Sequence, residues 1–232
     1  MLRLTHRQVV LLLSTLLGIE FIALAIAPTD RNDWLLENVL FVLFVAAMIA
    51  SYRKLTLSRN SYLLVFLFLS LHLLGAHYTY AQVPYDRWFE SLTGRSINGL
   101  FGWERNNFDR LVHFCYGLLL AYPVREVLQR VVKLRGFWGY FFPLSVTMST
   151  SMCYELIEWG AAAILGGDVG QAYLGTQGDV WDAQKDMAFA GSGALIAMLV
   201  TAGINRFERD FADESNNRLR VKPSRPLRKD EA

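Results

Sequence analysis

Two cysteines, Cys115 and Cys153, are all that the chain holds. Each sits inside an apolar segment, far from the other, so they form no metal-ligand pattern and give no support to a disulfide; they read as small packing residues. An excess of charge of one sign is missing too. The formal net charge is +2, and bulk charge therefore implies no nucleic-acid partner. The chain has no internal repeat and no low-complexity stretch. It lacks GxSxG, which removes a nucleophile-elbow serine, and GxxxxGK[ST], which removes a P-loop. It lacks HExxH, Glu-x-x-His and DxDxD, so no familiar metal spacing is present.

Charge is also absent from long stretches, and that absence is informative. Among 232 residues, 53% are hydrophobic, with a mean hydropathy of +0.25. Gln8–Gly18, Ser61–Gly75 and Gly136–Tyr154 carry no formal charge, and Trp34–Tyr52 carries one acid, Glu37, near its start. A spanning helix needs about 20 mostly apolar residues. The expectation is an all-α, polytopic membrane helix bundle with six transmembrane helices, near 8–27, 34–51, 61–79, 110–128, 137–163 and 183–204. Residues 1–205 form the membrane domain and 206–232 a basic, disordered tail. The first segment resembles a signal peptide, with Arg3 and Arg7 before an apolar run ending in Ala25-Ile26-Ala27. Pro28 directly after the would-be cleavage site, Glu20 within the run and a spanning length favour an uncleaved first span.

Orientation follows from lysine and arginine placement. Seventeen lie at the termini and in the alternate loops that share their side: Arg3, Arg7, Arg53, Lys54, Arg59, Arg125, Arg130, Lys133, Arg135 and eight after Ile204. The opposite loops, 28–33, 80–109 and 164–182, hold four: Arg31, Arg87, Arg95 and Arg105. Both termini are therefore expected in the cytoplasm. The six basic residues from Arg218 to Lys229 would be drawn to anionic headgroups at roughly 1 kcal/mol each near the surface.

Within this frame, eleven ionisable residues of the apolar segments fall toward the extracytoplasmic leaflet: Glu20, His72, His77, Asp109, Arg110, His113, Glu155, Glu158, Asp182, Lys185 and Asp186. A charge at the bilayer centre costs roughly 2.5–3.5 kcal/mol by insertion scales, so such residues mark function by default. Asp109 and His113 are i, i+4; Glu155 and Glu158 are i, i+3; Asp182, Lys185 and Asp186 are i, i+3, i+4, so three helices each present a compact acidic face. The cluster counts six acids against two fixed cations and three histidines. Either some carboxylates keep a proton, or a metal or a cationic ligand supplies the missing positive charge.

Three readings stay open. A ligand site for a lipid headgroup, envelope precursor or amphiphile would use Asp109, Arg110, His113, Glu155, Glu158, Asp179, Asp182, Lys185 and Asp186. A membrane-embedded hydrolase or transferase would use His113, Glu155 or Glu158 as general acid or base. A divalent metal, the one cofactor the residues suggest, would draw on His77, His113, Glu155 and Asp182. A structural salt-bridge network is the bland counterpart. A transporter is less favoured, because polar residues are sparse in the cytoplasmic half. The last outer loop, Leu165–Trp181, has five glycines in 17 residues, with Asp168, Gln171, Thr176, Gln177 and Asp179; it suggests tight turns or close backbone approach to a ligand. The 80–107 loop carries Tyr80, Tyr85, Trp88, Phe89 and Trp103, which suit an interfacial aromatic belt or a short amphipathic lid. The small residues Ala188, Ala190, Gly191, Gly193 and Ala194 suggest that the last span packs centrally.

Three stretches carry a resemblance: Asn107-Phe108-Asp109-Arg110-Leu111-Val112-His113-Phe114, Tyr154-Glu155-Leu156-Ile157-Glu158-Trp159, and the run from Gly175 to Met187. They resemble the YjdF-like bacterial inner-membrane proteins, over roughly residues 30–205. The resemblance implies a polytopic inner-membrane protein. More distantly, Asp109, His113, Glu155, Asp182 and Asp186 resemble the pattern of VanZ-like proteins, with Arg110 at its basic position. That resemblance implies a link to resistance against lipophilic glycopeptide antibiotics.

Overall fold

The computed structural model describes residues 4–167, 170 and 174–219. The expectations that fall on Asp168, on Gln171 and on the tail from residue 220 lie outside the described residues. Eight helices and no strand appear among the described residues: α1 His6–Leu24, α2 Arg31–Ser51, α3 Arg59–His77, α4 Tyr85–Thr93, α5 Ile97–Phe101, α6 Phe108–Val131, α7 Trp138–Leu165 and α8 Asp182–Leu219.

The starts of α1, α2 and α3 are set by caps rather than by the first apolar residue. Thr5 closes a capping box with Gln8, Asp30 accepts from the Asn32 and Asp33 amides, and Ser58 accepts from the Ser61 amide. Each cap satisfies otherwise orphaned first-turn donors, and α1, α2 and α3 begin two or three residues earlier than hydropathy alone places them. α8 runs past the expected span end to Leu219; no glycine or proline interrupts the sequence between Gly203 and Pro223.

Among the described residues five helices are long and apolar enough to cross a membrane: α1, α2, α3, α6 and, within α8, Asp182–Phe207. α7 has ample length at 28 residues, yet its serines, threonines and two glutamates keep it outside that group. The chain up to Met198 forms one compact unit, and Leu199 onward a second. In the first, α3 packs on α1, α2 and α6, and α6 packs on α7.

Helices in lipid gain little from hydrophobic driving force and associate by close packing of small residues. The α6–α8 crossing shows this. A Cβ on Gly117 would lie 1.9 Å from the Ala190 carbonyl oxygen, and one on Gly193 would lie 2.1 Å from the Phe114 carbonyl oxygen. The two backbones touch, which places the first half of α8 centrally in this unit. Two ties hold the ends. At one, Glu126 of α6 accepts from the Ser58 amide at 2.8 Å, from the Ser58 hydroxyl at 2.8 Å and from the Ser61 hydroxyl, and pairs with Arg130. A carboxylate is thereby set on the positive end of α3. At the other, His77 Nδ1 donates to the Leu24 carbonyl at 2.8 Å. The expected lid region folds as α4 and α5. Both are exposed, with Trp88, Leu92, Leu100, Phe101 and Trp103 open on their surface.

Candidate functional site

The polar residues of the site end separate into two tiers. The outer tier is a charge clamp. Arg105 donates to Asp182 at 2.5 Å and to the Thr176 carbonyl at 3.2 Å. Arg110 pairs with Asp179 and lies 3.3 Å from Asp182. Lys185 reaches Asp179 at 2.5 Å. The Lys185 ammonium, the Trp181 amide and Arg110 hold the Asp179 carboxyl down at about 2. Beside the clamp, Asn106 and Gln177 exchange two hydrogen bonds, at 3.0 Å and 2.9 Å. The turn that presents Gln177 has positive φ at Gly175, Gln177 and Gly178; glycine takes two of these three left-handed positions without steric cost.

The inner tier is acidic and buried. Helical spacing turns Asp109 and His113 to one face of α6 while Arg110, one residue on, faces the clamp. Asp186 lies one turn below Asp182 on α8. His113 Nε2 sits 3.6 Å from Asp109 Oδ1 and 3.6 Å from Glu155 Oε1. Ligand atoms of Asp109, His113 and Asp186 all fall within 4.8 Å of one another. Asp186 Oδ1 and Glu155 Oε1 are buried with no hydrogen-bond partner among the described residues. Glu158, half-buried one turn beyond Glu155, forms no ion pair among the described residues.

A cavity of about 580 Å³ extends from this tier. His72, Tyr80, Asp109 and His113 line its polar end. Phe41, Leu69, Leu120, Val124 and Val146 line its apolar length, with Thr150 and Ser151 partway along. Its walls come from α2, α3, α6 and α7. α2 and α7 are not closely packed on each other; the Tyr154 hydroxyl donates to Glu37 at 3.2 Å across the gap. Leu43, Phe44 and Ile157 line the cavity and are exposed on the outer surface of the unit, so it opens sideways.

Tyr80 forms the roof. Thr79 and Tyr80 both adopt the left-handed region, at φ 53° and 49°, a conformation that costs a non-glycine residue of order 1–3 kcal/mol. The turn lays the Tyr80 ring on Gly75, where a Cβ would lie 2.5 Å from the ring, and joins its hydroxyl to His72 Nδ1 at 2.5 Å. Burial pushes the Tyr80 hydroxyl well above its usual value, so it stays protonated.

Of the residues singled out in the sequence, Asp109, Arg110, His113, Glu155, Asp179, Asp182, Lys185 and Asp186 come together. Glu20 and His77 do not join them. Glu20 accepts from Ser70 at 2.7 Å between α1 and α3, and the His77 ring is engaged with Leu24. Asp182, named as a metal candidate, has its carboxylate taken by Arg105 and Arg110. Two residues were missed as site residues. Arg105 read only as a loop charge. Glu37, buried at 6% exposure, read as the edge of a span, although a lone acid in an apolar run was the available signal.

Comparison with known proteins places this geometry in a family. The family described as predicted membrane protein (DUF2238) matches residues 9–207. Inner membrane protein YjdF of Escherichia coli (strain K12) is 36% identical over 178 residues, covering 76% of this chain and 81% of that protein. No solved structure matches the chain. The more distant VanZ-like resemblance gains no support and is not carried further. Family match, relative and apolar helices agree: the chain belongs to the DUF2238 family and is a multi-pass integral protein of the bacterial inner membrane.

Proposed function

We propose that this protein binds an amphiphile of the extracytoplasmic leaflet in the cavity between α2, α3, α6 and α7, with the polar head against Asp109 and His113. The carrying observation is the cavity's polarity gradient: ionisable groups at one end, an apolar length behind, and an open side between two helices. Its volume falls in the range of small-molecule sites, ~300–1,000 Å³. A lipid headgroup, a lipid-linked envelope precursor or a similar amphiphile fits this description. In this reading α7 crosses the membrane as a sixth span, and both termini lie in the cytoplasm, as the lysine and arginine bias supports. The basic tail in 206–232 then meets anionic headgroups on the inner face. The outer clamp of Arg105, Arg110, Asp179, Asp182 and Lys185 fixes the loops over the site, and Glu158 joins Glu155 on α7 as a further ligand contact.

A second reading, a membrane-embedded hydrolase or transferase acting on such a molecule, is favoured by His113 standing 3.6 Å from Glu155. That is the pairing of a base with an orienting carboxylate, and Ser151 and Thr150 hydroxyls share the cavity.

Native mass spectrometry of the detergent-purified chain tests the binding reading. Wild type should retain a bound lipid that Val146→Trp, which fills the cavity, loses several-fold, while Ile22→Trp on the exposed side of α1 retains it. A lipid-free wild type, or an unchanged lipid complement in Val146→Trp, would remove the proposal.

A further inference from the structure

We infer that the inner tier is a divalent-cation site, with Asp109, His113 and Asp186 as ligands and Glu155 as the fourth. Three independent features converge on it. The first is geometry: one ligand atom from each of Asp109, His113 and Asp186 lies within 4.8 Å of the others, and Glu155 Oε1 stands 3.6 Å from His113 Nε2. Metal–ligand bonds of about 2.0–2.2 Å need these atoms drawn together by an ångström or so, which side-chain rotation on fixed helices supplies.

The second feature is unsatisfied acceptors. Asp186 is 2% exposed and the Glu155 side chain 9%, yet among the described residues one carboxylate oxygen of each has no hydrogen-bond partner. Buried acceptors are nearly always paired with protein or water, and a buried carboxylate oxygen left without one is costly. Both bare oxygens belong to residues of this cluster.

The third is the allotment of cations. Arg105, Arg110 and Lys185 spend their charge on Asp179 and Asp182. Among the described residues no lysine or arginine nitrogen comes within 4.0 Å of Asp109, Glu155 or Asp186, while His113 Nε2 lies 3.6 Å from both Asp109 and Glu155. The protein has arranged its fixed cations one turn above the acids, leaving the inner set for a mobile one. An imidazole with three carboxylates suits manganese, iron or zinc in the divalent state rather than a soft, thiolate-seeking ion.

The cation also gives the amphiphile reading its ligand class, and this part rests on that reading. An acid-walled pocket repels a phosphate head; a bound divalent ion reverses the sign and offers a coordination position to a phosphate oxygen at the polar end of the cavity. The cation site itself stands whether or not the cavity is filled.

Manganese is the probe. The full chain, purified in detergent and stripped with chelator, is titrated with Mn²⁺ and followed by electron paramagnetic resonance. One Mn²⁺ should bind per chain, with the nitrogen coupling of a single imidazole. His113→Gln should lose that coupling, Asp186→Asn should weaken binding at least tenfold, and Ser70→Ala should change neither. Absence of binding, binding without nitrogen coupling in wild type, or coupling that persists in His113→Gln would overturn the inference. Wild type decides the first two outcomes, so a variant that fails to fold leaves the test intact. A chain that holds Mn²⁺ but no lipid keeps this inference and discards the amphiphile; the reverse result discards the metal.

Discussion

Replacing Gly117 with alanine adds one methyl group at the place where it has least room. The new Cβ would meet the Ala190 carbonyl oxygen at 1.9 Å, the Ala194 amide nitrogen at 2.6 Å and the Ala190 carbonyl carbon at 2.8 Å. All three are backbone atoms of α8, so no side chain can rotate away. Ordinary contact begins at 3.4 Å, so α6 and α8 must part by about 1.5 Å. A gap of 0.5–1 Å already forfeits roughly a quarter to a half of the dispersion well for the atoms that face it. Overpacking in a tight core costs typically about 1–3 kcal/mol, and a clash with backbone belongs at the upper end, near 2–3 kcal/mol. For a chain of this size that is a drop in Tm of roughly 4–12 °C. Gly193→Ala, which meets Phe114 and Leu118 backbone, should cost the same. One displacement relieves both clashes, so the double variant should cost little more than either single, a coupling of about 2 kcal/mol. The assay is reversible unfolding in mixed micelles, run as a double-mutant cycle. Singles within about 0.5 kcal/mol of wild type, or strictly additive losses, would refute the backbone-contact argument.

Two further outcomes follow from the ends of the unit. Glu126→Ala strips the acceptor from the Ser58 amide and from the Ser58 and Ser61 hydroxyls; the same unfolding assay should show a loss of about 2–4 kcal/mol, from hydrogen bonds to a charged partner and the donors left unmet, and a loss under 1 kcal/mol would contradict it. For Asp179 the carboxyl is depressed from 3.8 to about 2 in the folded protein. Its stabilisation is therefore complete at neutral pH, and is lost as pH falls through the window between those two values. Hydrogen exchange of the Gly175–Trp181 turn should rise over that window in wild type and be already raised, and flat, in Asp179→Asn.

The long helices are legible because hydropathy fixes their middles, and caps at Thr5, Asp30 and Ser58 account for the few residues by which their starts differ. The polar cluster is legible only in depth. The position of a charge along an apolar segment tells which end of its helix it occupies, but not which way round the helix it points. Glu20 and His77 share the depth of the site and face the α1–α3 seam instead. Arg105 was hidden for a different reason. Its partner Asp182 is 77 residues away, and the turn through Asn106 and Asn107 that aims it has no periodicity to read. Glu37 sits in plain view, but its partner Tyr154 lies 117 residues on, so only the fold shows that the acid belongs with α7.

A pocket whose door is in the side of the bundle has a particular economy. For the proposed amphiphile the bilayer is both solvent and reservoir for what enters between α2 and α7, so its occupancy would follow from the ratio of a very large local concentration to the dissociation constant. Grip on the tail then adds little, since every lipid tail is offered in excess. Discrimination has to come from the few atoms at the far end, around His113, and a single change there should alter which molecule is held while leaving the pocket as full as before.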